Sequence, residues 1–409
     1  MKVKIRIDIF SPALFFPFMF ILVFYGGYFF TQCYLQFLGE KISFGQWYYY
    51  SLSLSSYLIG VFTYAFYIKI KSGRFRLGSI VSDSRFWIFI WSIFIIAFLS
   101  LTYRLYKVGI PFLSYEPECG RMTTNLAISG YVSVLSLSLE VVLVFCLIYR
   151  WILHKKGTVA QIAINLLIGL SFIGLLLTAS RNRIFIPVAI FLVCYHYLVK
   201  RFSMKRLAIY GIVLLSIFTA YGWARSLSIP DRFSGWGDVF GVSPRMSSLT
   251  VPLILPIMNP SLMFYHITSA IPEGVPYQYG SFLLSGIVAV LPGYQPSQGV
   301  MIKDILNISS PNPIAISMLG TFWVDFGLIG LIIGMWSVGF ILRFLYLKMV
   351  SSGYRLSFTI LYAYFLVYFT LTLYSGFLEG FTDIWFPFLF FIGAKFIEQK
   401  PRQNVLYSG

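Results

Sequence analysis

The stretch GTFWVDFGLIGLIIGMWSVGFILRFLY, residues 320–346, decides the class of fold. Only Asp325 and Arg343 carry charge in it, and its apolar residues form a block rather than a stripe. A helix on the surface of a soluble protein needs a polar face every 3.6 residues. A block of roughly 20 apolar residues is what a hydrocarbon core of about 30 Å demands. Working outward, similar blocks fall at 10–30, 47–68, 86–106, 127–149, 160–179, 184–199, 207–224, 356–374 and 380–396. The pattern predicts an all-α polytopic membrane protein with about ten transmembrane helices, residues 1–409 forming one multi-pass domain. Composition agrees: of 409 residues 58% are hydrophobic, 20% aromatic and only 11% charged, with a mean hydropathy of +0.80. The first block has no small-residue cleavage site and is followed by Gln32, Gln36 and Glu40, so it reads as a retained helix rather than a signal peptide.

A net charge of +17 would suggest nucleic acid in a soluble chain. Its distribution gives another reason. Of the 31 Lys and Arg, 21 fall in the termini and short loops on one side, opposed there only by Asp8, Asp83 and Glu398. That side therefore carries +18, and everything else −1. This is the positive-inside pattern, which places both termini in the cytoplasm and leaves no role for nucleic acid. Cys146 and Cys194 lie within spans as apolar packing. Cys33 and Cys119 fall on the outer side, with no spacing pattern to pair them.

The basic inner loops are short. Outside, residues 225–313 make a large extracytoplasmic loop holding 11 of the 18 prolines. Loops of that size usually carry function. Within it, LTVPLILPIM at 249–258 and SFLLSGIVAVLP at 281–292 are apolar but too short to span. They read as short re-entrant or interfacial helices, or as helices lying over the bundle.

Phosphate loops, zinc-ligand clusters and His-Glu-x-x-His are absent from the sequence. SLSLSS at 51–56 reads as helix packing. What stands out is arginine on the outer face: Arg181 and Arg183 in LTASRNR, Arg225 in YGWARS, then Arg232 and Arg245, with Lys303 and Arg121 nearby. Guanidinium suits bidentate binding of phosphate oxygens. The competing role is anchoring, or pairing with Asp231, Asp238 and Glu273. Clustering on the side where few cations are expected favours a shared anion, with a diphosphate the leading candidate. Of three histidines only His266 lies on that side, near Glu273, where imidazole suits a general base. Glu140 sits mid-span, either as a functional carboxylate or as a helix-to-helix partner. Asp325 is placed near the outer end of the eighth span, and Glu379 and Asp383 read as a solvated turn.

Three segments resemble the O-antigen polymerase (Wzy-type), or oligosaccharide repeat unit polymerase, family. LTASRNR is similar to its span-end Thr-x-Ser-Arg segment, and YQYGSFLLSGIVAVLPG at 277–293 to its Tyr-Gly-x-Ser/Phe segment ending in Leu/Ile-Pro. GTFWVDFGLIG at 320–330 resembles its Gly-x-x-(Tyr/Trp)-x-Asp-Phe-Gly-x-x-Gly span. Basic residues often follow the Leu-Pro in that family; here Gly293, Tyr294 and Gln295 do.

The resemblance implies a GT-C-like, metal-independent membrane glycosyltransferase without cofactor, in the bacterial inner membrane. Its partners would be undecaprenyl-diphosphate-linked glycan as donor and acceptor, the lipid bilayer, and a chain-length regulator. On that reading Arg181, Arg225 and Arg245 hold the diphosphate, with Arg183 and Arg232 as second choices. His266 is the base, with Glu273 or Asp325 as alternates. A ligase moving finished glycan would use the same residues. A lipid-linked oligosaccharide flippase would instead need charges along a path through many spans.

Overall fold

The computed structural model describes residues 8–39, 45–63, 81–111, 128–151, 158–178, 180–203, 205–211, 244–289, 296–308 and 314–398, with a few isolated positions between them. Among these the regular structure is helical: α1 (Phe15–Phe37, with a π-helical turn at Ile21–Tyr25), α2 (Gly45–Thr63), α3 (Asp83–Val108), α4 (Gly130–Leu137), α5 (Leu139–Trp151), α6 (Thr158–Leu177), α7 (Arg181–Leu198), α8 (Pro244–Ala270), α9 (Ser281–Val288), α10 (Gln298–Ile305), α11 (Met318–Ser351), α12 (Leu356–Leu371) and α13 (Phe381–Ile397). Among the described residues, five stretches are long and apolar enough to cross a membrane: 15–37, 83–108, 130–151, 159–177 and 318–351. The block expected at 207–224 and the cysteine at 119 lie largely or wholly outside the described residues.

The chain divides into two units. The first holds residues 1–68, 202–344 and 368–384. Here α8 lies along α1, with the Ile257 carbonyl against Gly27 and Thr31 Oγ1 donating to the Met258 carbonyl at 3.4 Å. Tyr50 of α2 meets Ser261 of α8 through their hydroxyls at 2.8 Å, and Phe264 packs against Tyr49 and Tyr50. Tyr57 donates to the Pro12 carbonyl at 2.7 Å and stacks on Phe16. Ser53 and Ser56 of the serine-rich stretch are buried on the same helix, as the packing reading expects.

This unit corrects the reading of LTVPLILPIM as a short segment. LTVPLILPIM is the middle of α8, a helix of 27 residues and so about 40 Å long. Pro252, Pro256 and Pro260 lie within it, and their spacing of four confines the missing N–H groups to one side of the helix, while the other sides keep their bonds. By contrast α9, with eight residues, is too short to cross.

The second unit holds residues 69–201, 345–367 and 385–409. At its centre α5 is buried on all sides, Leu147 and Arg150 being the partly exposed members of Leu139–Arg150. Phe145 stacks with Phe390, and Tyr149 donates to Asp83 at 2.9 Å. Glu398 accepts from the Ser357 N–H at 2.9 Å and the Ser357 hydroxyl at 3.0 Å, closing the first turn of α12.

The expected span at 320–346 is not one rod. At 34 residues an unbroken α11 would be about 51 Å long, far beyond a bilayer core. It breaks at Gly327, whose φ of 57° and ψ of −136° only glycine adopts readily. The piece after the break, 328–351, is about 36 Å long and suffices to cross. The piece before it, 318–326, folds back so closely that the Phe322 carbonyl touches the Gly330 position and the Phe322 ring covers Gly334. The carbonyls of Val324 and Asp325, next to the break, accept from Gln278 N–H at 2.9 Å and Tyr279 N–H at 3.1 Å.

Candidate functional site

Asp325 sits on the short piece of α11, fully buried. Its carboxylate accepts from the backbone N–H groups of Phe282 at 3.1 Å and Leu283 at 2.8 Å, in the first turn of α9. Those N–H groups have no partner within their own helix, and Gly280 at the cap position offers no side chain. A carboxylate at a helix N-terminus also opposes the positive end of the helix dipole. Asp325 thus holds α9 in place from a different helix.

The neighbours of Asp325 in sequence are occupied in the same way. Trp323 Nε1 donates to the Ile271 carbonyl at 3.0 Å. Thr321 donates to Gln298 Oε1 at 3.1 Å. Gln298 Nε2 in turn lies 2.7 Å from the carbonyls of Phe282 and Phe377 and 3.0 Å from Ser285 Oγ. One buried glutamine therefore ties α9, α10, α11 and the turn before α13. The Gly-Thr-Phe-Trp-Val-Asp-Phe-Gly segment is the frame of a broken helix, each polar member bonded to the 271–305 region.

Replacing Asp325 by alanine leaves two buried N–H groups without an acceptor. At about 1–3 kcal/mol each, that should free α9, seen as faster amide exchange across 281–288 while α5 stays protected. Slow exchange in that helix after the substitution would mean the carboxylate does not hold it.

The remaining candidates in the first unit lie around this frame. His266 is on the last turns of α8, half-buried, its ring edge-on to Tyr265. Glu273 is exposed in the turn after α8, two residues beyond the Ile271 carbonyl that Trp323 holds. Arg245 is the second residue of α8, and its side chain is not among those described; Arg225 and Arg232 lie outside the described residues. Asp383, read as solvated, accepts from the Tyr368 hydroxyl at 3.3 Å, and that oxygen also accepts from the Leu378 N–H at 2.9 Å.

No protein-family model, curated protein or solved structure matches this chain. Function therefore rests on the residues themselves.

In the second unit, Arg183 Nη1 lies 3.1 Å from Glu140 Oε1. Glu140 is fully buried and the Arg183 side chain 24% exposed, with its guanidinium 5.9 Å from the centre of the Phe386 ring. This answers the question of the mid-span acid: it is a helix-to-helix ion pair. Charges buried this way persist only when paired. Arg183 is accordingly engaged with a carboxylate. Arg181 opens α7, and its side chain is not among those described. Ser180 before it is extended, and its side chain makes no capping bond.

Sequence reasoning passed over Arg104. It is 4% exposed on α3, with Nη1 3.5 Å from Ser136 Oγ. Its signal was an arginine inside the last turns of an apolar block, read as an end charge. Gln298 carried no signal, because a glutamine in a proline-rich stretch has no period to betray burial. Among the described residues no group of three or more His, Cys, Asp or Glu is arranged to hold a metal ion.

Proposed function

We propose that this chain is a polysaccharide polymerase of the bacterial inner membrane, with about ten spans and both termini in the cytoplasm. It joins undecaprenyl-diphosphate-linked oligosaccharide repeats on the outer face, producing O-antigen or a related surface polymer. The acceptor sugar hydroxyl attacks the anomeric carbon of the donor chain. The anomeric C–O bond breaks with its electron pair going to the diphosphate, and a base takes the hydroxyl proton. Diphosphate leaves readily as an anion, so the protein's task is to stabilise negative charge and accept one proton.

The observation that carries this reading is the start of α7. Arg181 stands at a helix N-terminus that Ser180 does not cap, and Arg183, two residues further, is tied to buried Glu140. N-terminal N–H groups and a guanidinium together suit phosphate oxygens. Arg225 and Arg245 complete the proposed clamp. With the Asp325 carboxylate committed to α9, His266 is the preferred base and Glu273 its alternate.

The test is the glycan profile of cells from which the gene is deleted. Loss of polymer with accumulation of single-repeat products is the expected result. Full-length polymer that stays unattached to its final acceptor would replace the polymerase reading by a ligase. An unchanged profile would remove both.

A further inference from the structure

The end of α7 opposite Arg181 carries a second group of cations. With 18 residues α7 is about 27 Å long, close to the roughly 30 Å of a hydrocarbon core. Past Leu198 come Lys200 and Arg201, both exposed. Arg201 Nη2 lies 3.4 Å from the hydroxyl oxygen of Tyr354, in the turn between α11 and α12. Lys348 and Arg355, exposed on either side of that tyrosine in the chain, carry the same sign of charge. The acid at the start of α12, Glu398, has both oxygens on Ser357.

Tyr354 is the telling residue. Its φ is 62°, a conformation that glycine adopts readily and that costs a bulky residue about 1–3 kcal/mol. Its N–H reaches the Met349 carbonyl at 2.9 Å, a bond any residue but proline would make. What tyrosine adds is the side chain. Its ring lies nearly parallel to that of Tyr197, centres 6.0 Å apart, and Tyr197 meets Tyr346 and Tyr362 edge-on. This packing holds the hydroxyl beside Arg201. Its oxygen faces the guanidinium, and among the described residues its hydrogen goes to no acceptor. The Lys200 ammonium likewise has no partner among the described residues. Helix C-termini attract cations by about 0.3–1 kcal/mol each, but that attraction asks for no tyrosine at positive φ. A phenol hydrogen, a guanidinium and an ammonium are all donors, and together they suit an anion with several oxygens.

We infer that Lys200, Arg201 and Tyr354 bind the phosphate of an anionic phospholipid. The Tyr354 hydroxyl and the Arg201 guanidinium each donate to a phosphate oxygen, and the Lys200 ammonium offsets the charge. Position favours lipid over free phosphate. The site stands at the end of α11, which is long and apolar enough to cross a bilayer, and Val199 beside it is 43% exposed. None of this depends on the polymerase reading.

The test measures binding of a fluorescent phosphatidylglycerol to the full-length protein in dodecyl maltoside micelles. Unlabelled phosphatidylglycerol should displace the probe, while phosphatidylcholine and inorganic phosphate at the same concentration should not. Tyr354→Phe keeps every charge and the ring, and loss of its donor should weaken binding about tenfold at an unchanged lipid-free unfolding temperature. Lys200→Gln should weaken binding similarly, and it decides the matter if Tyr354→Phe proves less stable. Lys205→Gln with Arg206→Gln, which removes two exposed cations further along the chain, should bind as the parent does. Attraction to a diffuse basic surface predicts the reverse, a loss in that double variant and none in Tyr354→Phe, and this result would overturn the site. Displacement by phosphatidylcholine would show that the lipid's charge is not read. Equal displacement by inorganic phosphate would give the site to a free anion, and either outcome ends the phospholipid assignment.

Discussion

Arg181→Ala should lower the yield of polymer longer than one repeat by about 100- to 1,000-fold, the usual loss when one preorganised donor to a developing anion is removed. The protein itself should be unharmed. Arg181 is the first residue of α7, where the helix dipole is positive. A cation there opposes the dipole, so alanine should leave the unfolding temperature unchanged or raise it slightly. A residue that is unfavourable for its own helix is better explained by what it binds than by what it supports. Arg225→Ala should behave alike. The measurement is a glycan ladder from membranes, set beside the protein level and unfolding temperature of each variant. Normal ladders from both variants would remove the diphosphate clamp.

Arg183→Ala, two residues away, should fail by another route. It takes the Arg183 guanidinium away from the buried Glu140 carboxylate, and removing one partner of a buried ion pair typically costs about 3–5 kcal/mol. The expected result is a large drop in unfolding temperature and in protein level, with loss of polymer following from both. The pair tests itself. Replacing both charges by apolar residues, Arg183→Met with Glu140→Leu, removes the stranded charge and should recover most of the stability. If the double variant is no better than Arg183→Ala, the ion pair is not what holds these helices. Arg181 and Arg183 thus separate function from folding within one helical turn.

How much of this was legible depends on the kind of signal. The apolar blocks were plain, because 20 consecutive residues without charge leave few alternatives, and α3, α6 and α12 begin and end close to where the blocks do. The break in α11 was hidden, since Gly327 sits among Gly320, Gly330 and Gly334 and nothing local says which one carries the positive φ. Prolines misled at α8, where their spacing of four mattered more than their number. Among site residues, Arg183 looked like Arg181 in LTASRNR. What engages Arg183 is a carboxylate 43 positions earlier in the chain, and no local pattern reports that. Asp325 was visible as an acid in an apolar span, but its partners are backbone N–H groups, which every residue but proline carries. Sequence marks where a costly group is buried. It does not mark what satisfies it.

The break at Gly327 also bears on how the protein is made. Two peptide oxygens there depend on N–H groups from Gln278 and Tyr279. Those donors are synthesised some 45 residues earlier, so a ribosome releases them before the oxygens that need them. The nine residues ahead of the break are too few to halt a translocating chain, while the 24 behind it are enough. Insertion can therefore stop on the longer piece and leave the shorter one to settle against donors already in place. Neither oxygen need ever meet bare lipid.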